Sequence, residues 1–190
     1  MTTQERAFIG LGSNLSSPEQ QLLSALDEIA VTPGITLCGR SSLYRSAPVG
    51  FADQPNFINA VAEVRTALTP IELLDELLAI ERCHGRVRDF PNAPRTLDLD
   101  ILIYGDLQLA SPALTLPHPR AHLRGFVLWP LFELAPDAHI PGRGSVRALL
   151  AQNREQSIAR IADVTTVRLA LGSLVGAWVN VQDAEPGRVN

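Results

Sequence analysis

The stretch that decides the fold is Pro94-Arg95-Thr96-Leu97-Asp98-Leu99-Asp100-Ile101-Leu102-Ile103-Tyr104, in which an arginine precedes two aspartates in an apolar run. Side chains alternate across a strand, so the pattern predicts a strand with Leu97, Leu99, Ile101 and Ile103 on one face and Thr96, Asp98 and Asp100 on the other. The aspartate Cα atoms would lie about 6.6 Å apart. Because neighbouring carboxylates disfavour each other's ionisation, such a pair favours a bound cation. We therefore predict a divalent-metal site here; the alternative is a solvated sheet edge.

Two helix-start signals precede this strand in the sequence. Ser17-Pro18-Glu19-Gln20 and Thr69-Pro70-Ile71-Glu72 each combine a capping box with proline at the first helical position. Strands are predicted over 7–12, ending in a tight turn at Gly12, and over 35–44 and 56–65. This order predicts an α+β fold on the ferredoxin-like βαββαβ plan, a mainly antiparallel sheet with helices packed on one face.

The second half of the chain is less regular. Residues 126–134 predict a helix disturbed by Pro130, and Ser145 is expected to cap a short helix through residue 151. The character changes near residue 158, where apolar residues are interrupted by glycines. We predict a domain over 1–157 and a C-terminal extension of unknown role over 158–190.

The charged residues exclude several function classes. The chain has 190 residues, a net charge of −4 and 16 cationic side chains, all of them arginine. Without lysine there can be no Walker A lysine, no protein-kinase strand lysine and no Schiff base. The negative net charge disfavours binding to nucleic acid or to anionic membranes. Any phosphate chemistry must therefore use arginine and metal.

The sequence also bears on the compartment. The N-terminus lacks the layout of a signal peptide, and no apolar run approaches the roughly 20 residues of a membrane span. Cys38 and Cys83 have neither CxxC spacing nor a matching histidine cluster, so we expect reduced thiols. We predict a cytoplasmic protein, and we expect a monomer.

Several further features suit phosphate chemistry, although each alone has a structural alternative. Gly10 to Asn14 is either a backbone cradle for phosphate or a plain turn. Arg86 and Arg88 would point alike in an extended loop and grip one phosphate chain, or simply be exposed. His118, between two prolines, is either a phosphate donor or a cap for a neighbouring carbonyl, and Arg124 either reaches the same site or pairs with an acid such as Glu133.

The loop in the first half suggests a flat heterocyclic ligand. Asn59 offers an amide that reads donor and acceptor edges, and four residues offer apolar or aromatic surfaces: Pro48, Val49, Phe57 and, further along the chain, Phe126. Considered alone, Phe57 and Phe126 are better explained by ordinary core packing.

Taken together, these motifs resemble one known family. GLGSNL at 10–15, YRSAPVG at 44–50, DQPNFINA at 53–60, GRVR at 85–88, PRTLDLDILIYG at 94–105, LPHPR at 116–120 and RGFVLWPLFELAP at 124–136 occur in the order found in 6-hydroxymethyl-7,8-dihydropterin pyrophosphokinase of folate biosynthesis. The resemblance covers roughly residues 6 to 155. It implies transfer of the β,γ-pyrophosphate of ATP to the pterin hydroxymethyl group, releasing AMP, with two Mg²⁺ ions.

The resemblance also implies roles for individual residues. Asp98 and Asp100 match metal-binding aspartates, and Asp100 is our hypothesis for a catalytic base. Catalytic arginines are implied at Arg86, Arg88 and Arg95. ATP-binding positions are implied at Glu81, Arg86, Val87, Arg88, Arg95, Ile101, His118 and Arg124. A pterin pocket is implied at Ser46, Pro48, Val49, Phe57, Asn59 and Phe126.

The chain departs from relatives in three places. Several relatives carry a tryptophan before the Pro-Arg pair, where this chain has Asp89-Phe90-Pro91-Asn92-Ala93. Ala113 stands where some relatives place another arginine, and Leu78 replaces a polar helix residue. None of these changes removes the predicted metal site.

Two other function classes remain as alternatives. A nucleotidyltransferase also combines a Gly-Ser turn with an Asp-x-Asp strand, but there the turn precedes the carboxylates closely, whereas Ser13 lies far upstream of Asp98. A ferredoxin-like RNA-binding module is opposed by an aromatic content of 5% and the negative net charge. The nucleotidyltransferase would release pyrophosphate, and the RNA-binding module would shift labelled RNA.

Overall fold

The computed structural model describes residues 4–48, 53–86, 93–153, 156 and 158–162. The predicted site residues Val49, Val87 and Arg88 lie outside these ranges, as do Phe90 and the extension beyond residue 162.

The strands and helices follow the predicted order. The first half contains β1 (Glu5–Ser13), α1 (Pro18–Val31), β2 (Ile35–Arg40), β3 (Leu43–Ser46), β4 (Phe57–Thr66), α2 (Pro70–Cys83) and β5 (Asp98–Tyr104). The second half contains β6 (Leu109–Ala110), β7 (Thr115–Leu116), a 3-10 turn (Ala121–Leu123), α3 (Gly125–Leu134), β8 (His139–Ile140), β9 (Gly144–Ser145), α4 (Val146–Gln152) and β10 (Ile158–Ala162). The helices predicted at 126–134 and after Ser145 are confirmed.

One antiparallel sheet organises the molecule. Its order is β10-β3-β4-β1-β5, with β2 also paired to β4 on the β3 side. Counting β2 and β3 as one interrupted strand, the βαββαβ units take the arrangement expected of a ferredoxin-like fold. The α+β prediction is therefore confirmed. Strand β10 adds to the β3 edge, so the sheet continues past the predicted domain boundary at residue 157, which itself stays a prediction.

Both faces of the sheet carry helices. Helices α1 and α2 pack on one face, in a core that includes Ile9, Leu26 and Leu77. Helices α3 and α4 pack on the other face, against Phe8 and Leu102. The prediction of helices on one face was correct for α1 and α2 only, because the apolar α3 needs a buried surface of its own. Helix α3 covers part of this second face, and a cavity occupies another part.

The strand predicted over 35–44 is interrupted. Ser41 and Ser42 replace regular pairing with side-chain hydrogen bonds: the Ser41 hydroxyl accepts from the Val61 N–H at 2.9 Å, and the Ser42 N–H and hydroxyl donate to Glu133 at 3.1 and 2.6 Å. Serine side chains compete with the sheet ladder in this way. The break separates β2 from β3 and joins β3 to α3.

The alternation predicted for β5 holds only up to Ile101. Leu97, Leu99 and Ile101 lie in the core beneath α1 and α2, but Ile103 lies on the opposite face. The pairing of β1 with β5 shifts between Phe8 and Ile9, leaving one extra residue in β5. An extra residue reverses the alternation beyond it, so the predicted placement of Ile103 was wrong.

The two helix-start signals have different outcomes. Thr69 forms the predicted capping box, with its side chain accepting from the Glu72 N–H and the Glu72 carboxylate accepting from the Thr69 N–H at 2.7 Å. Ser17 has φ 62° and makes no side-chain cap. The left-handed backbone turns its hydroxyl away from the first helical turn, so the capping box predicted there was wrong.

Candidate active site

A cavity of about 320 Å³ lies over β1, β4 and β5, on the face of the sheet that α3 partly covers. Most of the described residues that the sequence nominated line it: Ser46, Phe57, Asn59, Arg86, Arg95, Asp98, Asp100, His118, Arg124 and Phe126. Pro48, Glu81 and Ile101 do not. Residues distant in sequence therefore converge on one cavity.

Two glycines form the floor of the cavity. Gly10 lies opposite Asp100, and Gly12 lies opposite Asp98, within β1. A Cβ at Gly12 would lie 3.6 Å from Asn59 Oδ1, and one at Gly10 would lie only 3.1 Å from Leu102 Cδ2. The strand runs on to Ser13, so the turn predicted at Gly12 was wrong, while the alternative of a backbone cradle for phosphate stays a prediction. Both glycines line the cavity beside the strand that carries the two aspartates.

Asp98 is held by two arginines. One of its carboxylate oxygens accepts from Arg86, and the other accepts from Arg95 Nη1 at 2.5 Å. The three side chains are 20, 10 and 19% exposed, respectively. Their charges offset one another in an environment with little water, which strengthens each contact.

Asp100 has a different environment. Its Oδ2 lies 3.9 Å from His118 Nε2, too far for a hydrogen bond. Burial, and then the neighbouring Asp98 charge, raise the pKa of the Asp100 carboxyl to about 6. The side chain still has 42% of its surface accessible within the cavity. A carboxylate that is open to the cavity and accepts no hydrogen bond from a cationic side chain among the described residues suits a metal ion.

His118 presents a neutral ring to the cavity. Burial, followed by the charges of Arg124 and Arg120, lowers the pKa of His118 to about 4. Its Nδ1 accepts from the Arg120 N–H at 3.1 Å, so the ring proton belongs on Nε2, which faces Asp100. The His118 N–H donates to the Leu102 carbonyl at 2.9 Å, which fixes the turn against β5.

Glu81 supports the site from beneath. Its side chain is 3% exposed and accepts from Arg86 and from the Leu99 N–H at 2.8 Å. It therefore links α2 to the arginine and to the strand that carries the aspartates.

Ile101 and Pro48 are also outside the cavity lining. The Ile101 side chain lies in the core on the opposite face of β5, so a contact between Ile101 and ATP would have to come from its backbone. Pro48 is half-buried outside the cavity.

The opposite wall carries the residues nominated for a heterocycle. Asn59 Nδ2 donates to Ser46 Oγ at 3.0 Å and to the Tyr44 carbonyl at 3.3 Å, which fixes the orientation of the amide. The Arg95 guanidinium lies 5.5 Å from the centroid of the Phe57 ring. Arg124 lies 5.4 Å from the centroid of the Phe126 ring. Each aromatic ring therefore adjoins one of the cavity arginines.

Asn14 was not nominated from the sequence, although it belongs to the quoted GLGSNL motif. It is 3% exposed, and its Oδ1 accepts from the Arg95 N–H at 2.8 Å while its own N–H donates to the Arg95 carbonyl at 3.1 Å. Its Nδ2 donates to Gln54 Oε1 at 2.9 Å. The signal in the sequence that could have identified Asn14 was an asparagine placed directly after an apolar strand. Gln54 and Arg120 also line the cavity without having been nominated.

The described residues contain no group of three or more histidine, cysteine, aspartate or glutamate side chains suited to a metal. Asp98 and Asp100 supply two carboxylates, and Mg²⁺ is commonly held by one or two carboxylates together with substrate phosphates and water. The donor set therefore fits a metal that arrives with a phosphate ligand. No helix in the described ranges combines the length and apolar character that crossing a bilayer demands.

Sequence comparison gives consistent relatives. The profile of the family described as 7,8-dihydro-6-hydroxymethylpterin-pyrophosphokinase matches residues 8–136. The chain is 46% identical over 157 residues to the 2-amino-4-hydroxy-6-hydroxymethyldihydropteridine pyrophosphokinase of Pseudomonas aeruginosa, covering 83% of this chain and 97% of the relative. It is 43% identical over 140 residues to the folic acid synthesis protein fol1 of Pneumocystis carinii, covering 74% of this chain and 19% of that protein.

Comparison with solved structures supports the fold. The wild-type HPPK-DHPS of Plasmodium falciparum with pteroate superposes with a TM-score of 0.63 at 12% identity, covering 80% of this chain. This chain spans 45% of that solved chain. At such low identity the likeness concerns the fold alone.

Proposed function

The chain belongs to the 7,8-dihydro-6-hydroxymethylpterin-pyrophosphokinase family, and from this membership we propose which of its residues carry the reaction and which donor and metal they use. The protein is a diphosphokinase that transfers pyrophosphate to 6-hydroxymethyl-7,8-dihydropterin in folate biosynthesis. The resemblance identified from the motifs is thereby confirmed.

We propose ATP as the donor, bound by the arginine side of the cavity. Arg86 and Arg95 already converge on Asp98, and Arg124 approaches from the start of α3. Guanidinium groups bind phosphate oxygens in a bidentate manner and keep their charge at any physiological pH. Arg88 and Val87 complete this set as predictions from the family. The arginines would stabilise the negative charge that grows on the leaving AMP.

Asp98 and Asp100 are the proposed holders of two Mg²⁺ ions. Bound there, the metal would neutralise the pyrophosphate oxygens and hold attacking and leaving oxygens in line. His118, kept neutral by its surroundings, would donate a hydrogen bond from Nε2 to a phosphate oxygen. Glu81 would act through Arg86. Asp100, whose carboxylate faces the open cavity, is the proposed acceptor for the proton of the hydroxymethyl group.

The pterin is proposed to lie on the opposite wall, between Phe57 and Phe126. Aromatic faces suit a flat bicyclic ring, and the Asn59 amide, fixed by Ser46, can read its polar edge. Pro48 and Val49 stay predictions from the family. The observation that carries the whole assignment is that this wall and the Asp98–arginine group line one cavity.

We propose that the protein works in the cytoplasm, which its two free, exposed thiols support. We also propose that it acts as a monomer without nucleic-acid or membrane partners. The net charge of −4 supports the expectation that neither nucleic acid nor an anionic membrane is a partner.

The decisive experiment follows the products of ATP. The protein is incubated with ATP, Mg²⁺ and 6-hydroxymethyl-7,8-dihydropterin, and AMP, ADP and free pyrophosphate are separated. We expect AMP formation that requires both the pterin and the metal. ADP as the nucleotide product, or free pyrophosphate with nucleotide attached to the acceptor, would contradict the proposal.

Matched variants test the residue assignment. Asp100→Asn is expected to lower AMP formation at least a hundredfold, because it removes a metal-holding carboxylate. Asp106→Asn changes an exposed aspartate outside the cavity lining and should leave the rate unchanged. Equal rates in the two variants would remove Asp100 from the machinery.

A further inference from the structure

The backbone on both sides of Arg124 is held by one side chain from the C-terminal part of the chain. Gln156 Oε1 accepts from the Gly125 N–H at 2.7 Å, and Gln156 Nε2 donates to the Leu123 carbonyl at 2.8 Å. These two backbone groups belong to the residues immediately before and after Arg124. A single amide therefore fixes the peptide planes that set the direction of the Arg124 side chain.

Helix α3 requires such a partner at its start. Arg124 is its N-cap residue and makes no side-chain cap; its carbonyl accepts from the Val127 and Leu128 N–H groups, which leaves the Gly125 N–H to find an acceptor outside the helix. Gln156 supplies this acceptor for the N–H of Gly125. The glycine permits the close approach: a Cβ there would lie 3.1 Å from Gln156 Oε1 and 3.3 Å from Ile158 Cγ1.

The segment that carries Gln156 is itself attached to the sheet. Ile158 pairs with Ser46 at the start of the β10–β3 ladder. On the other side, Asn153 Nδ2 donates to the His122 carbonyl at 3.2 Å and to the Leu149 carbonyl at 2.8 Å. Asn153 and Gln156 together form hydrogen bonds with backbone groups of three residues around Arg124, at positions 122, 123 and 125.

Within the described ranges no ion pair joins Arg124 to a carboxylate, in contrast to Arg86 and Arg95. Burial, and then the charge of Arg120, lower the pKa of Arg124, while the charges of Asp100 and Asp98 act in the opposite direction. The side chain also adjoins the Phe126 ring. Because none of these interactions is a short contact with a carboxylate, the backbone that Gln156 holds contributes to where the guanidinium lies.

We propose that Gln156 is a positioning residue for ATP binding, acting through Arg124. This inference rests on the proposed role of Arg124 in holding the nucleotide. Losing one hydrogen bond at a restrained site changes an equilibrium by about two- to tenfold, and we expect about fivefold weaker ATP binding without the Gln156 amide. Gln156, which follows the family match, would thus contribute to the nucleotide site without itself lining the cavity.

The test is a double-mutant cycle on ATP affinity. Gln156→Met keeps the length of the side chain and removes both hydrogen bonds, and Arg124→Ala removes the proposed target. Dissociation constants for ATP with Mg²⁺ are measured by calorimetry for the wild type, the two single variants and the double variant, without the pterin. We expect Gln156→Met to weaken ATP about fivefold in the wild-type background and to have no effect in the Arg124→Ala background.

Controls separate this role from a loss of fold. Gln152→Met changes an exposed glutamine at the end of α4 that makes none of these contacts and should leave ATP affinity unchanged. Unchanged affinity in Gln156→Met, or equal weakening in both backgrounds, would overturn the positioning role alone. Normal ATP affinity in Arg124→Ala would overturn the proposed role of Arg124 and, with it, this inference. Thermal melting of each variant verifies that the compared proteins are folded.

Discussion

Asp98 and Asp100 lie on one face of the same strand, yet their surroundings are opposite. Asp98 accepts hydrogen bonds from Arg86 and Arg95, whereas none of the described cationic side chains lies at hydrogen-bond distance from Asp100, whose pKa is raised to about 6. The Asp98 carboxylate stabilises Arg86 and Arg95. The surroundings of Asp100, in contrast, disfavour the ionised form of its carboxyl group. The two residues should therefore respond differently to the same substitution.

The stability of two amide variants measures this difference. Asp98→Asn leaves Arg95 without its carboxylate and should lower the free energy of unfolding by about 1 to 3 kcal/mol. Asp100→Asn removes a carboxyl whose charge is disfavoured and should leave the melting temperature unchanged or higher near neutral pH. Urea unfolding at pH 7.5 without metal compares them. A larger loss for Asp100→Asn than for Asp98→Asn would contradict the electrostatic picture.

The raised pKa of Asp100 also predicts how metal-dependent binding varies with pH. A carboxyl whose pKa is about 6 is mostly protonated below that pH, and a metal ion needs the ionised form. Affinity for ATP with Mg²⁺ should therefore rise with pH through about 6 and level off above it, and binding at pH 5.5 should release a proton. Calorimetry in buffers of different ionisation enthalpy measures this release. The same dependence in Asp100→Asn would assign it to another group.

At the scale of elements, helices α1 and α2 begin with similar sequences but different geometry. Thr69 completes a capping box at α2, while Ser17 takes a left-handed conformation at α1 and caps nothing. Proline at the first helical position occurs in both. The contribution of each cap to stability therefore depends on the backbone angle that precedes the helix.

Alanine substitutions at the two caps form a matched pair. Thr69→Ala removes the acceptor for the Glu72 N–H and should lower the free energy of unfolding by about 1 kcal/mol. Ser17→Ala removes no hydrogen bond to the helix and should change it by a few tenths at most. Urea denaturation of both variants checks the contrast, and equal losses would mean that Ser17 caps α1 in solution.

The elements also show where sequence patterns suffice. Local signals predicted the helices, the strand order and the aspartate face of β5, because periodicity and capping act over a few residues. They missed the break at Ser41–Ser42 and the reversal after Ile101, which depend on Glu133 and on the register with β1. In the site, the converging arginines and aspartates came from family motifs. Asn14 and Gln156 were missed because their partners lie far away along the chain.

At the scale of the whole molecule, β10 is one of the strands of the main sheet and not part of a separate extension. Strand β10 pairs with β3, and Arg160 reaches both Ser42 and Glu133, at 2.8 and 3.2 Å. Ile161 packs against the core beneath α1 and α2. The edge of the sheet next to the proposed pterin wall is thus completed by residues beyond 157.

Two truncations test where the folded unit ends. A chain of residues 1–162 keeps β10, whereas one of residues 1–157 loses the strand, the Arg160 contacts and the burial of Ile161. We expect the shorter chain to be less stable by about 2 to 4 kcal/mol. Equal melting temperatures would support the boundary predicted at 157 and assign β10 a minor role.

The incomplete covering of the second sheet face has a thermodynamic consequence. Helices α3 and α4 cover only part of that face, and the cavity takes up space beside them. A ligand bound there acts as a missing piece of the outer layer and is lost on unfolding. Folding and occupancy are then linked equilibria: ligand at a hundred times its dissociation constant adds about 2.7 kcal/mol to the unfolding free energy. Substrate at such a concentration would therefore lower the fraction of the protein that is unfolded at any moment.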